Sequence, residues 1–600
     1  MMGAMVHRGP DGSGTFHSES NQVFLGHRRL SIIDPPGGAQ PMWDEQREFG
    51  VVFNGEIYNH VELRSVLEQH GHKFLTSHSD TEVLIHGWKQ WGAELLIRLN
   101  GMFAFAIYDR QSQRIFLARD RFGEKPLYYS VRSNVFAFAS ELTALIQHGE
   151  IPADLDHVAL KKLFAYGYIP SPRALWRGCN KLPAGHWLEY DLASGVSHLR
   201  SYWKFQLEPD ERMAHVDEAQ LVDEFRSLLD QSVARRMMSD VPLGIFLSGG
   251  IDSSSIVASA TIVAEKDTIH TFCVGFEEPS FDESPFARAI AEHFGVVHSE
   301  RILSMKSAAD LIPEVLSRLD EPFGDASIIP TYLLSAFARE QVTVVLSGDG
   351  SDELLAGYDP FVALGPANIY ASVIPSFIHN LLRGMARRMP VSQKNMALDF
   401  KLNRTLTGLS YPKPLWNPVW MAPVEPGEMA DLFGGSVDVE ELYEEVISLW
   451  DETGPEKDLT DRTLEFFTRF YLQEDILFKA DRAAMMNSLE SRAVFLDNDL
   501  SDFCRRLPNK FKLRGRTRKY LLKKAMKGIL PENIISRRKK GFGIPLASWL
   551  KHLPESWFHG EVTGLNQQEV SQRWRQHRSG QIDHRLFLWT WLNARFVCGQ

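Results

Sequence analysis

Cysteine is scarce in this chain. Four occur in 600 residues, Cys179, Cys273, Cys504 and Cys598. They lie far apart and none forms a Cys-x-x-Cys pair, so neither a disulfide framework nor a zinc site is indicated. Long apolar runs are missing too. Nothing in the sequence is long enough to cross a bilayer, and the start, Met1-Met2-Gly3-Ala4-Met5-Val6-His7-Arg8, has no apolar core of the kind a signal peptide needs. These absences predict a cytoplasmic protein. There is no basic surplus: 76 Asp and Glu against 65 Lys and Arg give a formal charge of −11. That balance argues against nucleic acid or membrane as a general partner and fits small polar substrates better. Repeats and low-complexity tracts are absent, and a chain of this length exceeds what a single core serves.

What the chain does have is a pair of small-residue corners. The apolar run 241–247 opens into Ser248-Gly249-Gly250-Ile251-Asp252-Ser253-Ser254 and then a helix. Such a loop leaves backbone N–H groups unpaired, and the helix that follows points its positive end at the same spot, so anions settle there. No Lys follows the glycines, which excludes the loop that grips terminal phosphates in ATPases. Asp252 inside the loop repels phosphate unless a divalent cation such as Mg²⁺ stands between them. A second corner runs from 342–346 into Ser347-Gly348-Asp349-Gly350-Ser351-Asp352-Glu353. Either loop alone is accounted for by an ordinary glycine turn; the pair is not. In a parallel sheet both emerge at the carboxyl ends of strands and build one nucleotide site. Of its three acids, one is expected to ligate metal and another to be free for proton or substrate work.

Up to about residue 205 the pattern is paired strands with inserted helices: a hairpin over 102–118, a second over 126–139, and a helix opened by a Ser79-x-x-Glu82 capping box. From about 215 the rhythm is strand, helix, strand, helix, which specifies a parallel sheet. The polar stretches 191–195 and 208–213 read as the joint. Beyond 360 the chain reads as mostly helical, including 464–477, and Trp589 and Trp591 read as core. In the first half, Arg29 suits a ligand carboxylate, Glu56 and Asp80 suit an ammonium, and Asn54 with the Gly55 N–H suits an oxyanion. Together they fit one amino acid. Each also has a plain reading as a cap or turn.

The ordered set His7-Arg8-Gly9-Pro10-Asp11-Gly12, Arg29 to Asp34, Asn54-Gly55-Glu56-Ile57-Tyr58-Asn59, Gly101 to Phe105 and Arg119-Asp120-Arg121-Phe122-Gly123 resembles the glutaminase domain of glutamine-hydrolysing asparagine synthetases. The two corners, Ser488-Leu489-Glu490-Ser491-Arg492 and Arg537-Arg538-Lys539-Lys540-Gly541-Phe542 resemble the synthetase domain of the same family. The resemblance implies an α+β Ntn-hydrolase αββα sandwich over 1–205, then an α/β ATP-pyrophosphatase domain over 215–600 with a parallel sheet and a helical C-terminal part. By the same likeness, Phe246, Leu247, Ser248, Gly249, Gly250, Ser253, Val274, Ser347 and Gly348 bind ATP, Asp252 and Asp352 hold Mg²⁺, and Asp349 and Lys539 are catalytic. Arg29, Asn54, Gly55, Glu56 and Asp80 bind glutamine.

The implied activity is adenylation of L-aspartate to β-aspartyl-AMP and its amidation by ammonia from L-glutamine, giving asparagine, AMP, pyrophosphate and glutamate. A homodimer is compatible with the family. Relatives carry an N-terminal Cys nucleophile, and no Cys precedes Cys179 here. The expectation is therefore a chain lacking the segment with that Cys, through a lost start or through use of free ammonia. Two rival readings stand beside this one. The first is a β-lactam-synthetase-like enzyme acting on another carboxylate. The second is an RNA-binding ATP-pyrophosphatase, drawn from the basic runs Arg514-x-Arg516-x-Arg518-Lys519 and 537–540, which read more simply as a solvated face or a phosphate clamp.

Overall fold

The computed structural model describes residues 1–19, 22–132, 135–390, 398–537 and 543–599. The strand Gly101–Asp109 lies in the middle of a six-stranded antiparallel sheet, between Phe49–Ile57 and Arg114–Arg119. Its unbroken apolar run is explained by burial on both faces. Phe103, Phe105 and Ile107 pack with Leu63, Leu67 and Val83 of the helices His60–Gln69 and Asp80–Trp91. The alternate residues Ala104, Ala106 and Tyr108 pack with Leu25, Leu127 and Leu182 of a second layer. That layer holds the three-stranded sheet of Tyr128–Arg132, Val135–Ala139 and Cys179–Lys181 and the hairpin Gly12–His17/Phe24–Arg29. The helices Leu142–Leu145 and His157–Tyr166 cover its far side. This is the αββα order the resemblance implies.

Two local expectations differ. Ser79 precedes the helix Asp80–Trp91, yet its hydroxyl makes no cap bond. Glu82 turns instead to the preceding loop, accepting from the Leu75 N–H at 2.6 Å, the Thr76 N–H at 2.8 Å and the Thr76 hydroxyl at 2.6 Å. Three donors offered by one loop outcompete a single reciprocal cap. Residues 191–195 are not a joint but the turn of a hairpin between His186–Asp191 and Ser197–Ser201, closed by Gly195 at φ +71°.

The second half is built on five parallel strands in the spatial order Val297–Leu303, His270–Phe276, Leu243–Phe246, Val344–Ser347, Glu490–Ala493. From Leu243–Phe246 the chain builds outward to one side, then returns to pair Val344–Ser347 on the other. Both glycine corners therefore emerge at the point where strand order reverses, the place where open α/β sheets bind ligands. The helix expected over 464–477 begins as Leu459–Phe466 and continues as a π-helical segment, Phe467–Ile476, before Leu477–Met485. Trp589 and Trp591 are fully buried. Among the described residues no helix is long and apolar enough to cross a membrane. One hydrophobic core joins the halves: Leu160 and Phe164 belong to the same cluster as Val233, Ile245 and Leu346.

Candidate functional site

The two corners touch. The Ser351 hydroxyl of the second corner donates to Asp252 Oδ1 of the first at 2.7 Å. A Cβ on Gly348 would lie 3.1 Å from the Asp252 Cβ, so only a small residue lets the loops lie this close. In the first corner Gly249 takes φ +65°, and a Cβ there would strike the Phe286 backbone at 2.4 Å. Arg537 fixes that turn from outside, donating to the Gly249 carbonyl at 3.2 Å and lying over the Phe286 ring at 3.9 Å from its centroid. Ser248 and Ser253 hold each other across the loop at 3.2 Å. In the second corner the Ser347 hydroxyl donates to Asp349 Oδ2 at 2.8 Å, aligning that carboxylate.

Lys519 is the residue that sequence reasoning missed. It is 3% exposed, and its ammonium sits 2.6 Å from each Asp252 oxygen and 2.7 Å from Asp352 Oδ1. Burial pulls its pKa below the usual lysine value while Asp252 opposes the shift. In the sequence it was only the end of a basic run. Two other members of that run are spent on neighbours, Arg514 on Glu218 and Arg518 on Asp359. The one local hint was Gly357: a Cβ there would lie 1.8 Å from Asp352 Oδ1 and 2.2 Å from Lys519 Cε.

The corners open on a large cavity of about 980 Å³, with Phe246, Leu247, Val274, Asp252, Asp349 and Lys479 on its wall. The π-helical segment contributes Tyr471 and Ile476 to the same wall. Behind the second corner, burial raises the Glu353 carboxyl to about 7, while a hydrogen bond from the Tyr358 hydroxyl at 2.5 Å opposes that shift. Lys539, expected to be catalytic, lies outside the described residues.

Arg29, Asn54, Gly55, Glu56 and Asp80 all line a second, smaller cavity of about 150 Å³ in the N-terminal half. Gly55 is required there because a Cβ would lie 2.0 Å from the Met102 carbonyl oxygen on the adjacent strand. The Arg29 guanidinium donates to the carbonyls of Ile33, Asp34 and Pro35 at 3.1, 2.8 and 2.6 Å, so it also shapes the loop over the cavity. Asp80 accepts from the Ile57 N–H at 3.1 Å. Burial pushes the carboxyls of Glu56 and Asp80 up together, with each acid beside the other. Glu56 is held from across the seam by Arg492 at 2.9 Å, which also binds Glu490 at 2.9 Å. Arg8, in the His7 to Gly12 motif, likewise reaches across and grips Asp481 with two hydrogen bonds of 2.7 and 2.8 Å.

Between the two cavities lies a narrow third one of about 20 Å³. It shares Met485 with the smaller cavity and Ser347, Asp349, Ala480 and Ser491 with the large one. Glu124 forms part of its wall, with its carboxyl raised to about 8 by burial and by Asp120. Among the described residues no group of three or more His, Cys, Asp or Glu side chains is arranged to hold a metal ion. The four cysteines lie away from all three walls except Cys273 at the large cavity. Burial raises the Cys179 thiol to about 11 and those of Cys273, Cys504 and Cys598 to about 12.

Comparison with known proteins agrees with this architecture. The family description "Asparagine synthase" matches residues 224–597, and "Glutamine amidotransferase domain" matches residues 1–203. "Asparagine synthetase [glutamine-hydrolyzing] 1" of Bacillus subtilis (strain 168) is 33% identical over 98% of this chain and 90% of its own length. "Putative asparagine synthetase [glutamine-hydrolyzing]" of Mycobacterium tuberculosis (strain ATCC 25618 / H37Rv) is 34% identical over 98% of this chain and 91% of its own. "Amidase chry2" of Gibberella zeae is 27% identical over 94% of this chain and 86% of its own. The expectation that the amidotransferase domain over 1–205 lacks its N-terminal segment is overturned, because that domain is matched from residue 1 to residue 203 and its two packed sheets are present. That expectation rested on one residue type, whereas a domain is specified by its packing. The chain belongs to the asparagine synthase family, with a glutamine amidotransferase domain in its first 203 residues.

Proposed function

We propose that the chain is a cytoplasmic, ATP-dependent ligase that converts L-aspartate to L-asparagine through β-aspartyl-AMP, using ammonia taken from L-glutamine. AMP, pyrophosphate and glutamate are the other products. The observation that carries this reading is the narrow cavity sharing Met485 with the glutamine-side wall and Asp349, Ala480 and Ser491 with the nucleotide-side wall. Two reaction centres joined through protein fit a reaction whose nitrogen is made at one and consumed at the other.

Adenylation makes the carboxylate reactive by giving it AMP as leaving group, and the bond broken lies between the first and second phosphorus of ATP. The corner Ser248 to Ser253 offers backbone N–H groups to the departing pyrophosphate. Lys519, fixed between Asp252 and Asp352, supplies a preorganised positive charge beside it. We assign Lys539, on the family resemblance of its sequence motif, the role of a second such cation. Asp252 and Asp352 already face one cation from two sides, which fits Mg²⁺ held by two carboxylates and completed by substrate phosphates rather than by a closed protein cage. When bound, the ion neutralises phosphate charge. Asp349, on the wall shared by the passage and the large cavity, is positioned to take a proton from the arriving amine. In the smaller cavity, Arg29 with Glu56 and Asp80 bind the α-carboxylate and α-ammonium of glutamine, and Asn54 with the Gly55 N–H faces its amide carbonyl.

The test supplies ATP, Mg²⁺, aspartate and glutamine labelled with ¹⁵N at the amide. AMP and pyrophosphate in equal amounts, with the label in asparagine, are expected. Release of ADP and phosphate contradicts adenylation. ATP–pyrophosphate exchange driven by a different carboxylic acid, and not by aspartate, assigns the substrate elsewhere.

A further inference from the structure

Beside the mouth of the large cavity stands a module of three helices that buries the wrong side. The helix Ser376–Ala386 turns His379 and Ala386 inward, where the His379 ring meets the Tyr370 hydroxyl at 3.1 Å and the Ser410 hydroxyl at 2.9 Å. Its outward stripe is Phe377, Leu381 and Met385, exposed to 73%, 64% and 60%. Spacing of four places them in one row along the helix, opposite the residues that pack. Surface helices ordinarily do the reverse. The neighbouring helices repeat the pattern, with Ile369 and Val373 exposed on Asp359–Val373 and Leu398 and Leu402 on Leu398–Gly408. A contiguous apolar face of this kind marks an interaction surface.

Charge indicates what covers it. In a chain with 76 acids, not one Asp or Glu occurs between Asp359 and Asp399, while Arg383, Arg387 and Arg388 all fall there. Arg388 is exposed and continues the stripe three residues beyond Met385. The acids around the module are engaged: Asp359 by Lys401 and Arg518, Glu425 by Arg383 and Arg387, Glu428 by Arg573. Exposed charges separated by more than about 8 Å are screened at physiological salt, so the face presents its local charge and not the total of −11. An exposed apolar, acid-free helix face ending in Arg388 fits the boundary between lipid headgroups and acyl chains.

We propose that the outward face of Ser376–Ala386, with its two neighbouring helices, docks this protein reversibly on an anionic lipid bilayer, with Phe377, Leu381 and Met385 inserted and Arg388 at the headgroups. The proposal is independent of the amide-forming reaction. Co-sedimentation of the full chain with vesicles of phosphatidylcholine containing a quarter phosphatidylglycerol tests it, with pure phosphatidylcholine vesicles alongside. Binding to the anionic vesicles alone, weakened by salt, is expected. The triple variant Phe377→Asp, Leu381→Asp, Met385→Asp lowers partitioning roughly a hundredfold or more. Arg388→Glu lowers it less and flattens the salt dependence. ATP–pyrophosphate exchange, measured on the same preparations, stays unchanged and separates lost docking from lost folding. Three results overturn the proposal: wild-type protein left in the supernatant with both vesicle types, partitioning untouched by the triple variant, or a dimer in sedimentation velocity that the triple variant dissolves.

Discussion

The two cavities solve opposite electrostatic problems. On the nucleotide side, two carboxylates face each other with a lysine ammonium between them, so the unliganded site already holds a cation where phosphate chemistry needs one. On the glutamine side, Glu56 and Asp80 share a buried spot where desolvation pushes both carboxyls up and the Asp80 charge raises Glu56 further, and the cation that opposes this at Glu56, Arg492, arrives from the other half of the molecule. The first site is assembled within the second half of the chain. The second is completed only when the halves close on each other. A local substitution should therefore disable the first site, while a substitution in the seam should weaken the second and loosen the whole fold.

The sharpest break of that contrast is Lys519→Ala. It leaves Asp252 and Asp352 facing each other without a charge between them, and ATP–pyrophosphate exchange is expected to fall roughly 10²–10³-fold. Its urea midpoint should fall only modestly, because Asp252 and Asp352 keep 22% and 14% of their side chains exposed to water. Arg492→Met reverses the emphasis. Removing one partner from a buried charge cluster costs roughly 3–5 kcal/mol, so a lower urea midpoint is the expected outcome. An unchanged midpoint shows that the seam does not hold Glu56 as described.

The narrow cavity that shares walls with both sites allows a kinetic test of whether they communicate. Ala480→Phe fills a space of about 20 Å³, and glutamine-dependent synthesis is expected to fall roughly tenfold while the ammonia-dependent rate holds. Equal loss with both nitrogen donors argues that the two cavities do not communicate there.

Glu124 gives a pH signature. Its folded carboxyl titrates near 8 against an ordinary 4.5 when unfolded, so between those values the native state holds a proton that the unfolded chain has lost. Stability from this group is accordingly greatest below about 4.5 and declines as pH rises through that window, by at most about 1.4 kcal/mol per pH unit. Glu124→Gln should flatten the decline, visible as a shrinking difference in thermal midpoint toward acid pH. The smallest effect concerns the cysteines. With every thiol pushed up to about 11 or 12 by burial, iodoacetamide at neutral pH should leave ATP–pyrophosphate exchange unchanged.

The nucleotide side was largely legible in the sequence because its information is local. A strand, two glycines, an acid and a helix start are contiguous, and each element's physics is set by its neighbours along the chain. Convergence of the corners followed from the parallel rhythm alone and appears as the Ser351–Asp252 hydrogen bond. The capping box at Ser79 failed for the converse reason: Glu82 had better donors in a loop that folds back over it, and nothing in the spacing shows that loop. The expectation that the amidotransferase domain lacks its N-terminal segment rested on a single residue type, whereas the domain is matched from residue 1.

Lys519 shows the limit most plainly. As the end of a basic run it reads as solvated, yet it is buried, because the fold brings it to Asp252 across a sequence separation of 267 residues. Periodicity and small-residue loops determined the layers of both halves and the place where nucleotide chemistry belongs, since strand alternation, turn geometry and helix ends are set within a few residues. Only the tertiary structure decided which charges meet across the seam, that a narrow third cavity shares walls with the other two, and that an apolar stripe faces outward. Those outcomes depend on contacts between segments hundreds of residues apart, and desolvation and ion pairing act through space rather than along the chain.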